Sequence, residues 1–344
     1  MYTFSLITTE TDYTDTVRGF RVPLPQTFWY GALQEKMGRR VVRIRINKDG
    51  TVFGCAQVIF YPMNAKLLFA YAPYGPIVSA YDSVLYEQLA AVVQTSCDNA
   101  LAYVRLEIPY EHRTELPNGF CATGTSQVRG SFMQPRVDWE LSLAGTDDAL
   151  FEQFHKQTRK LVRKAQSLNT NIVIVDDALS DSFHIFESMM RETAARKGFS
   201  LHETKYYRAM MQMASARSDA FFAIAYDAEG KALAISFHAI VDGCCYALFG
   251  GSRTERRDAH TARLLKWESM RFAKQKGCTT FSFGGIAAEG DRRYRDWKGF
   301  SDFKRSFGGA YLYHGELVDK VYTPWSYHLY RIVRAGKWMV KNLF

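Results

Sequence analysis

The sequence predicts an α/β fold, α+β in the way its strands are ordered, built twice in tandem, each copy a mixed sheet flanked by helices. Two observations carry this. The first is an internal echo. "VVRIRINKDGTVFGCAQVIFYP" (41–62) and "FFAIAYDAEGKALAISFHAIVDG" (221–243) both read strand, turn, strand, with KDG and AEG as the turns. Their glycines, Gly50 and Gly230, stand about 180 residues apart, a domain-sized period rather than a solenoid period. The second is a shared order of elements after each hairpin: a strand ("KLLFAYAPYGPIV", "CCYALFGGS"), a helix ("YEQLAAVVQTSCDNA", "TARLLKWESMRFAKQKG") and another strand ("LAYVRLEIP", "CTTFSFGGI"). A chain of 344 residues, 47% of them hydrophobic, is long enough to bury two cores.

The seam between the copies is expected near "LSLAGTDDALFEQF", where Asp147 or Asp148 can cap a helix running over 148–168. The expected domains are therefore 1–146 rejoined by 317–344, and 147–316. The cleft between two domains is the expected place for a site. The C-terminal "PWSYHLYRIVRAGKWMVKNLF" reads as a helix, either docked back on the first domain or, being basic and amphipathic, making a peripheral membrane contact.

A net charge of +9 favours anionic partners such as nucleic acid, nucleotides or anionic lipid. The six cysteines contain no CxxC pair, and Cys244 next to Cys245 disfavours an ordinary disulfide. The eight histidines show no ligand spacing, so neither metal nor cofactor is expected. The N-terminus has no basic region ahead of an apolar core, and no window reaches a membrane span. A cytoplasmic protein is expected.

Strand–helix–strand units of this kind are used by acyl-CoA N-acetyltransferases, whose glycine-rich turn donates N–H groups to the CoA pyrophosphate. Here the matching turn is "RTERRDAHTARL", where Asp258, Ala259 and His260 would crowd a pyrophosphate; "SAYDSVLYEQ" in the first half also lacks glycine. The architecture is acetyltransferase-like with its CoA cradle missing, which points to a different acyl donor. On "HKQTRKLVRKAQS", Lys156, Lys160, Arg163 and Lys164 share one helix face, with Arg159 to the side. That face is either simply solvated or a patch for phosphates. "YVRLEIPYE" puts Arg105 and Glu107 on one strand face, so Glu107 either holds an amine or pairs with Arg105. Tyr206 and Tyr207 suit a core aromatic pair. Gly284 and Gly285 end a strand and suit a turn or a close backbone approach.

In order, "YAPYGPI", "RLEIP", "QPRVDWELSL", "TRKLVRKA", "KGFSLHETKYY", "FGGS", "FSFGGI" and "YRDWKGFSDFKRSFGG" resemble the FemABX family of aminoacyl-tRNA-dependent peptidyltransferases, which extend the peptidoglycan stem peptide. The likeness spans roughly residues 25 to 325; its most specific pieces are the T-R-x-x-x-R-K-A helix and the closing F-K-x-x-F-G-G. It implies two acetyltransferase-like (GNAT-like) domains, the first binding the acceptor and the second facing aminoacyl-tRNA. With no heptad run for a coiled-coil arm, the chain is similar to the armless, monomeric type. The resemblance puts Lys304 at the active centre beside Phe303, in a cleft shared with Phe249, with Glu107 as the acidic residue. It implies Lys36, Arg105, His202, Tyr206, Tyr207 and Phe249 toward the acceptor, Lys160, Arg163 and Lys164 toward tRNA or a diphosphate, and Gly284 and Gly285 as a backbone approach. His202 stands where the family often has arginine, and Phe249 where it has tyrosine. The expected partners are aminoacyl-tRNA and a UDP-linked or lipid-linked muropeptide, at the inner face of the membrane if the acceptor is lipid-linked. Two alternatives stay open: the same fold acylating a polysaccharide or lipid from another donor, or an RNA-binding module without chemistry.

Overall fold

A computed structural model describes residues 1–97, 100–123, 134–176, 182–254, 260–287 and 297–341, with side chains of the last helix as far as 333. The chain forms two units, Met1–Arg136 with Tyr313–Phe344, and Val137–Leu312.

In the first unit, β1 (Tyr2–Leu6), α1 (Glu10–Val17) and α2 (Phe28–Lys36) precede the hairpin of β2 (Val41–Lys48) and β3 (Thr51–Pro62). The KDG turn works because Asp49 and Gly50 both adopt positive φ, 51° and 83°, the geometry of a two-residue hairpin. β4 (Leu67–Tyr71), β5 (Ile77–Val78), α3 (Ser83–Thr95), β6 (Ala100–Ile108) and β7 (Phe120–Ala122) come next. The sheet runs β1-β2-β3-β4-β6-β15-β7, with β5 beside β3; β4 and β6 are parallel and β15 (Glu316–Val321) returns antiparallel to β6. α3 buries Leu85, Tyr86, Leu89, Ala90 and Val93, the 3.6-residue stripe, against this sheet.

The second unit opens with β8 (Val137–Ser142), α4 (Asp147–Glu152), α5 (Lys156–Ser167), β9 (Asn171–Val175), α6 (Ser182–Lys197) and α7 (Thr204–Ser215). Then come β10 (Ala220–Tyr226), β11 (Ala232–Val241), β12 (Cys244–Ser252), α8 (Thr261–Gln275), β13 (Thr280–Gly285), α9 (Lys298–Arg305) and β14 (Ala310–Tyr313). Its order is β14-β8-β13-β12-β11-β10-β9. The predicted strand–strand–strand–helix–strand core is therefore present twice.

Two boundaries differ from expectation. The unit limits fall at 136/137 and 312/313, not 146/147 and 316/317. The reason is strand exchange in sequence: β8 pairs with β13 in the second sheet, whereas its counterpart in the first, β15, arrives from the C-terminal end. The helix expected over 148–168 is two helices, because the chain breaks at buried Phe154 and the His155 N–H turns to donate to the Ser306 carbonyl at 2.9 Å. The cap is Thr146, whose hydroxyl accepts from the Ala149 N–H at 3.1 Å.

The C-terminal helix α10 (Pro324–Lys341) docks on the first sheet through Tyr327 and Tyr330, which meet Tyr103 and Phe69. No described helix is long and apolar enough to cross a membrane.

Candidate active site

The site starts from a ladder that stops. β12 and β13 pair in parallel only from Cys244–Thr280 to Tyr246–Ser282. Beyond that, β12 continues against β11 alone and β13 against β8 alone. The two strands part, and the gap is walled by β11 and β12 on one side and the end of β13 on the other.

Lys304 lies on the β13 wall. α9 carries it back to the strand end, where its Nζ donates to the Gly285 carbonyl at 2.7 Å and sits 5.0 Å from the Phe300 ring centroid. Gly284 beside it has φ +68°, a turn conformation that frees that carbonyl to point at the amine. Burial lowers Lys304 to about 8, while the nearby Asp138 charge pulls the other way. An ammonium with this environment remains mostly charged at neutral pH yet is poorly hydrated, the condition under which it stabilises a developing oxyanion most strongly.

The glycines that close the F-K-x-x-F-G-G run have a structural cause. A Cβ on Gly308 would lie 2.6 Å from the Gln153 carbonyl oxygen, and one on Gly309 would lie 2.3 Å from that of Glu140. Trp139 Nε1 donates to the Gly308 carbonyl at 2.6 Å. Phe307 is fully buried against Phe154 and Phe283, so the run pins α9 to the core and fixes where Lys304 points. Phe303 joins this core; its ring lies 5.2 Å from Phe307 and under the Arg263 guanidinium at 5.3 Å.

The β11–β12 wall holds residues that the sequence did not single out. Ser236 and His238 alternate with Phe237 on β11 and are buried. Lys266 reaches down from α8, donating to Ser236 Oγ at 2.6 Å and lying 3.4 Å from His238 Nε2. Burial lowers Lys266 to about 7, and the charge on Lys304 adds to that shift. His238 is held well below the usual imidazole range, first by burial and then by Lys266. The signal was readable: Lys266 is in helical register with Met270 and Ala273, both fully buried, so it marks a cation on an apolar helix face.

His202, Tyr206, Tyr207 and Phe249 are brought together. The His202 ring lies 4.6 Å from Tyr206, 5.7 Å from Tyr207 and 6.1 Å from Phe249, and its backbone N–H donates to the Tyr207 hydroxyl at 3.2 Å. Phe249 does not line a cleft with Phe303. Its ring packs on Tyr207 at 4.9 Å and on Phe186, among helices α6 and α7, because strand alternation turns it to that side.

Of the remaining candidates, Arg105, Glu107 and Lys36 belong to the first unit, and the first two differ from expectation. Arg105 makes a buried two-pronged ion pair with Asp319, both contacts at 2.8 Å, and Tyr327 donates to the same carboxylate. Its guanidinium faces the sheet's own carboxylate instead of an acceptor. Glu107 is not paired with Arg105: its Oε1 accepts from the Tyr71 hydroxyl at 2.7 Å and the Tyr74 N–H at 2.8 Å. Burial raises its carboxyl above the usual range despite those donors. Lys36 stands exposed at the end of α2. On α5, Lys160, Arg163 and Lys164 are exposed while Thr158, Val162 and Ala165 are buried, so the cationic face points to solvent.

A model described as an acetyltransferase (GNAT) domain matches residues 152–304. A lipid II:glycine glycyltransferase of Staphylococcus haemolyticus is 21% identical over 372 aligned positions, covering 86% of each chain. A crystal structure of FemX superposes with a TM-score of 0.79 at 19% identity, over 96% of this chain and all of that one. The chain is therefore similar to FemABX proteins along most of its length. A tandem GNAT protein of the clavulanic acid pathway, at TM-score 0.51 and 12% identity over 93% of this chain and 98% of that one, shares the two-unit fold alone. The fold is GNAT-like α/β.

Proposed function

We propose that this protein moves an aminoacyl group from aminoacyl-tRNA to an amine on the stem peptide of a peptidoglycan precursor. The observation that carries the reading is Lys304: a poorly hydrated cation held by Gly285 at the end of the splayed strand. The charged tRNA is an activated ester, so no ATP or metal is required. As the amine nitrogen attacks the ester carbon, negative charge grows on the carbonyl oxygen. Lys304 meets that charge without reorganising, because its amine is already positioned. Holding both substrates in register supplies a further share of the rate.

In this reading the second unit receives the tRNA, with Lys160, Arg163 and Lys164 on phosphates and Gly284–Gly285 close to the aminoacyl ester. The first unit, with Lys36, and the His202–Tyr206–Tyr207–Phe249 cluster serve the acceptor. Two observations favour a lipid-linked over a UDP-linked acceptor. The staphylococcal relatives are named for lipid II. On α10, Trp325, Leu329, Ile332 and Val333 are exposed along one face, and residues 320–344 contain five lysines and arginines but no acid. That face suits the surface of an anionic bilayer.

The test mixes labelled charged tRNAs with lipid-linked and, separately, UDP-linked muropeptide. Transfer to the lipid-linked acceptor is expected. Transfer to neither, or consumption of an acyl-CoA instead, overturns the reading. Flotation with phosphatidylglycerol vesicles checks the helix: parent protein floats, and the Leu329→Glu/Ile332→Glu variant stays at the bottom. Equal behaviour of the two, or a dimer that the variant dissolves, removes the membrane contact.

A further inference from the structure

Resting on the aminoacyl-transfer reading above, we propose that Lys266 is the proton acceptor of the transfer step, set against Lys304 as the cation on the other wall of the gap between β12 and β13.

The placement comes first. Ser236, which binds Lys266 Nζ at 2.6 Å, pairs with Gly250 on β12, beyond the point where β12 leaves β13. Lys304 is tied to Gly285 at the end of β13. The two amines therefore belong to opposite walls of one gap. They are close enough for the Lys304 charge to act on Lys266. α8 also presents Arg263, one turn before Lys266, to the ring of Phe303, the neighbour of Lys304. Both lysines keep part of their surface accessible, whereas Ser236 and His238 do not.

The surroundings split the roles. The titratable or charged groups facing this pair are His238 on β11, Cys245 on β12, Asp138 on β8 and Arg263 on α8 itself. Asp138 acts on Lys304 and holds its proton. Lys266 has a hydroxyl and an imidazole beside it, and neither compensates a full positive charge. Burial pushes the Cys245 thiol well up and holds His238 far down, so both stay neutral at pH 7. Burial lowers both amines, but a carboxylate, Asp138, supports the charge on Lys304, whereas the Lys304 charge works against the one on Lys266, so Lys266 is the amine that gives up its proton. Two like groups whose proton affinities are driven apart divide acid and base work between them.

The step balances. The neutral acceptor amine attacks the ester carbonyl carbon; a C–N bond forms and the carbonyl pair moves onto oxygen, facing Lys304. Lys266 takes one proton from the attacking nitrogen. The carbonyl re-forms, the C–O bond to the ribose breaks, and Lys266 returns that proton to the departing oxygen. The products are an amide and a ribose hydroxyl, with Lys266 neutral again.

The decisive experiment has one readout that needs no substrate. Trace acetylation of the full-length protein, followed by mass spectrometry across pH, reports the midpoint at which each lysine becomes a free amine. Lys266 is expected near 7, rising in Lys304→Met as the neighbouring charge is removed. A Lys266 midpoint near the ordinary value of about 10.4 overturns the proposal, whatever the protein transfers. The second readout is turnover. Lys266→Met is expected to lower kcat by about 10²- to 10⁴-fold with little change in KM, and to abolish the acidic limb near pH 7. Lys266→Arg keeps a long donor that cannot accept a proton, so it is expected to be as slow. Unchanged kcat, or an acidic limb that survives in the variant, overturns the proposal. A parent protein that shows the labelling midpoint but transfers nothing from tRNA sinks the functional reading and leaves the amine pair standing.

Discussion

The two units carry the same strand–helix–strand core and treat the gap beside its parallel strands in opposite ways. In the first, the ladder between β4 and β6 does not end at Tyr71–Arg105. The Ala72 N–H donates to the Arg105 carbonyl at 3.0 Å, and the Glu107 N–H donates to Gly75 at 2.8 Å. The segment 72–75 fills the space, and Glu107 clasps it through Tyr71 and Tyr74. Gln26 closes the other side, donating to the carbonyls of Pro73 and Gln57. In the second unit the strands part after three pairs, and two amines stand where the first unit has a plug. A duplicated framework can thus make one copy structural by satisfying its polar groups internally, and the other chemical by leaving cations poorly solvated.

The largest effect expected from breaking this contrast is on turnover. Lys304→Ala should lower kcat about 10²- to 10³-fold while binding of charged tRNA, measured by filter retention, changes little. Equal turnover in variant and parent would show that the second gap is no more chemical than the first. Next is the stabilising seam of the first unit. Arg105→Leu leaves Asp319 buried without its partner and should cost about 3–5 kcal/mol in urea unfolding. Asp319 sits at 0% exposure, so water cannot rescue it; a loss under about 1 kcal/mol would mean that the pair is dispensable.

How much of this could be read from the sequence depends on the range of each contact. The hairpins were legible because their causes are local: Asp49–Gly50, and Gly230 at φ +78°, sit in the turns themselves. The anchoring of α9 was legible through the F-K-x-x-F-G-G run, whose glycines turn out to be required by the carbonyls of Gln153 and Glu140. Arg105–Asp319 was not, because the partners are 214 residues apart and meet only when β15 lies beside β6. The same exchange of strands displaced the expected domain boundary. Phe249 came into the expected cleft through the resemblance alone; in the sheet it pairs with Phe237, and its ring packs on Tyr207 and Phe186. Lys266 was missed for a different reason. "TARLLKWESMRFAKQ" also holds Arg271 and Lys274, which pair with Asp147, and one more cation hides among them unless its register with Met270 and Ala273 is checked.

A smaller prediction sharpens the comparison through glycine. Gly308→Ala, in the second unit, combines a positive φ with a clash against the Gln153 carbonyl, whereas Gly19→Ala in the first has φ +84° and open space. The first change should cost about 1–3 kcal/mol more than the second, which carries only the conformational penalty of about 1 kcal/mol. Matching melting temperatures for the two variants would mean that the backbone around α9 yields, and with it the fixed aim of Lys304.

The smallest effect is in pH, where the two units should move oppositely. Glu107 has its folded value raised, so the native state binds its proton more tightly than the unfolded chain does. Its stability contribution is present below the ordinary carboxylate range and lost as pH rises through the folded value. His238 is lowered, so the unfolded chain binds its proton more tightly. Its contribution is intact above about 6.5 and lost as pH falls below that toward the folded value. Lys266 acts in the same sense over a higher window, stability falling as pH drops from the ordinary lysine range to about 7. Hydrogen exchange on the whole protein, read peptide by peptide between pH 5 and pH 8 and corrected for intrinsic rates, should show β11 and α8 loosening toward acid while β6 tightens. His238→Phe should flatten the first trend and Glu107→Gln the second. Parallel trends in both units would mean that the buried groups of the second gap titrate like those of the first, and the division into a plugged copy and a chemical copy would lose its physical basis.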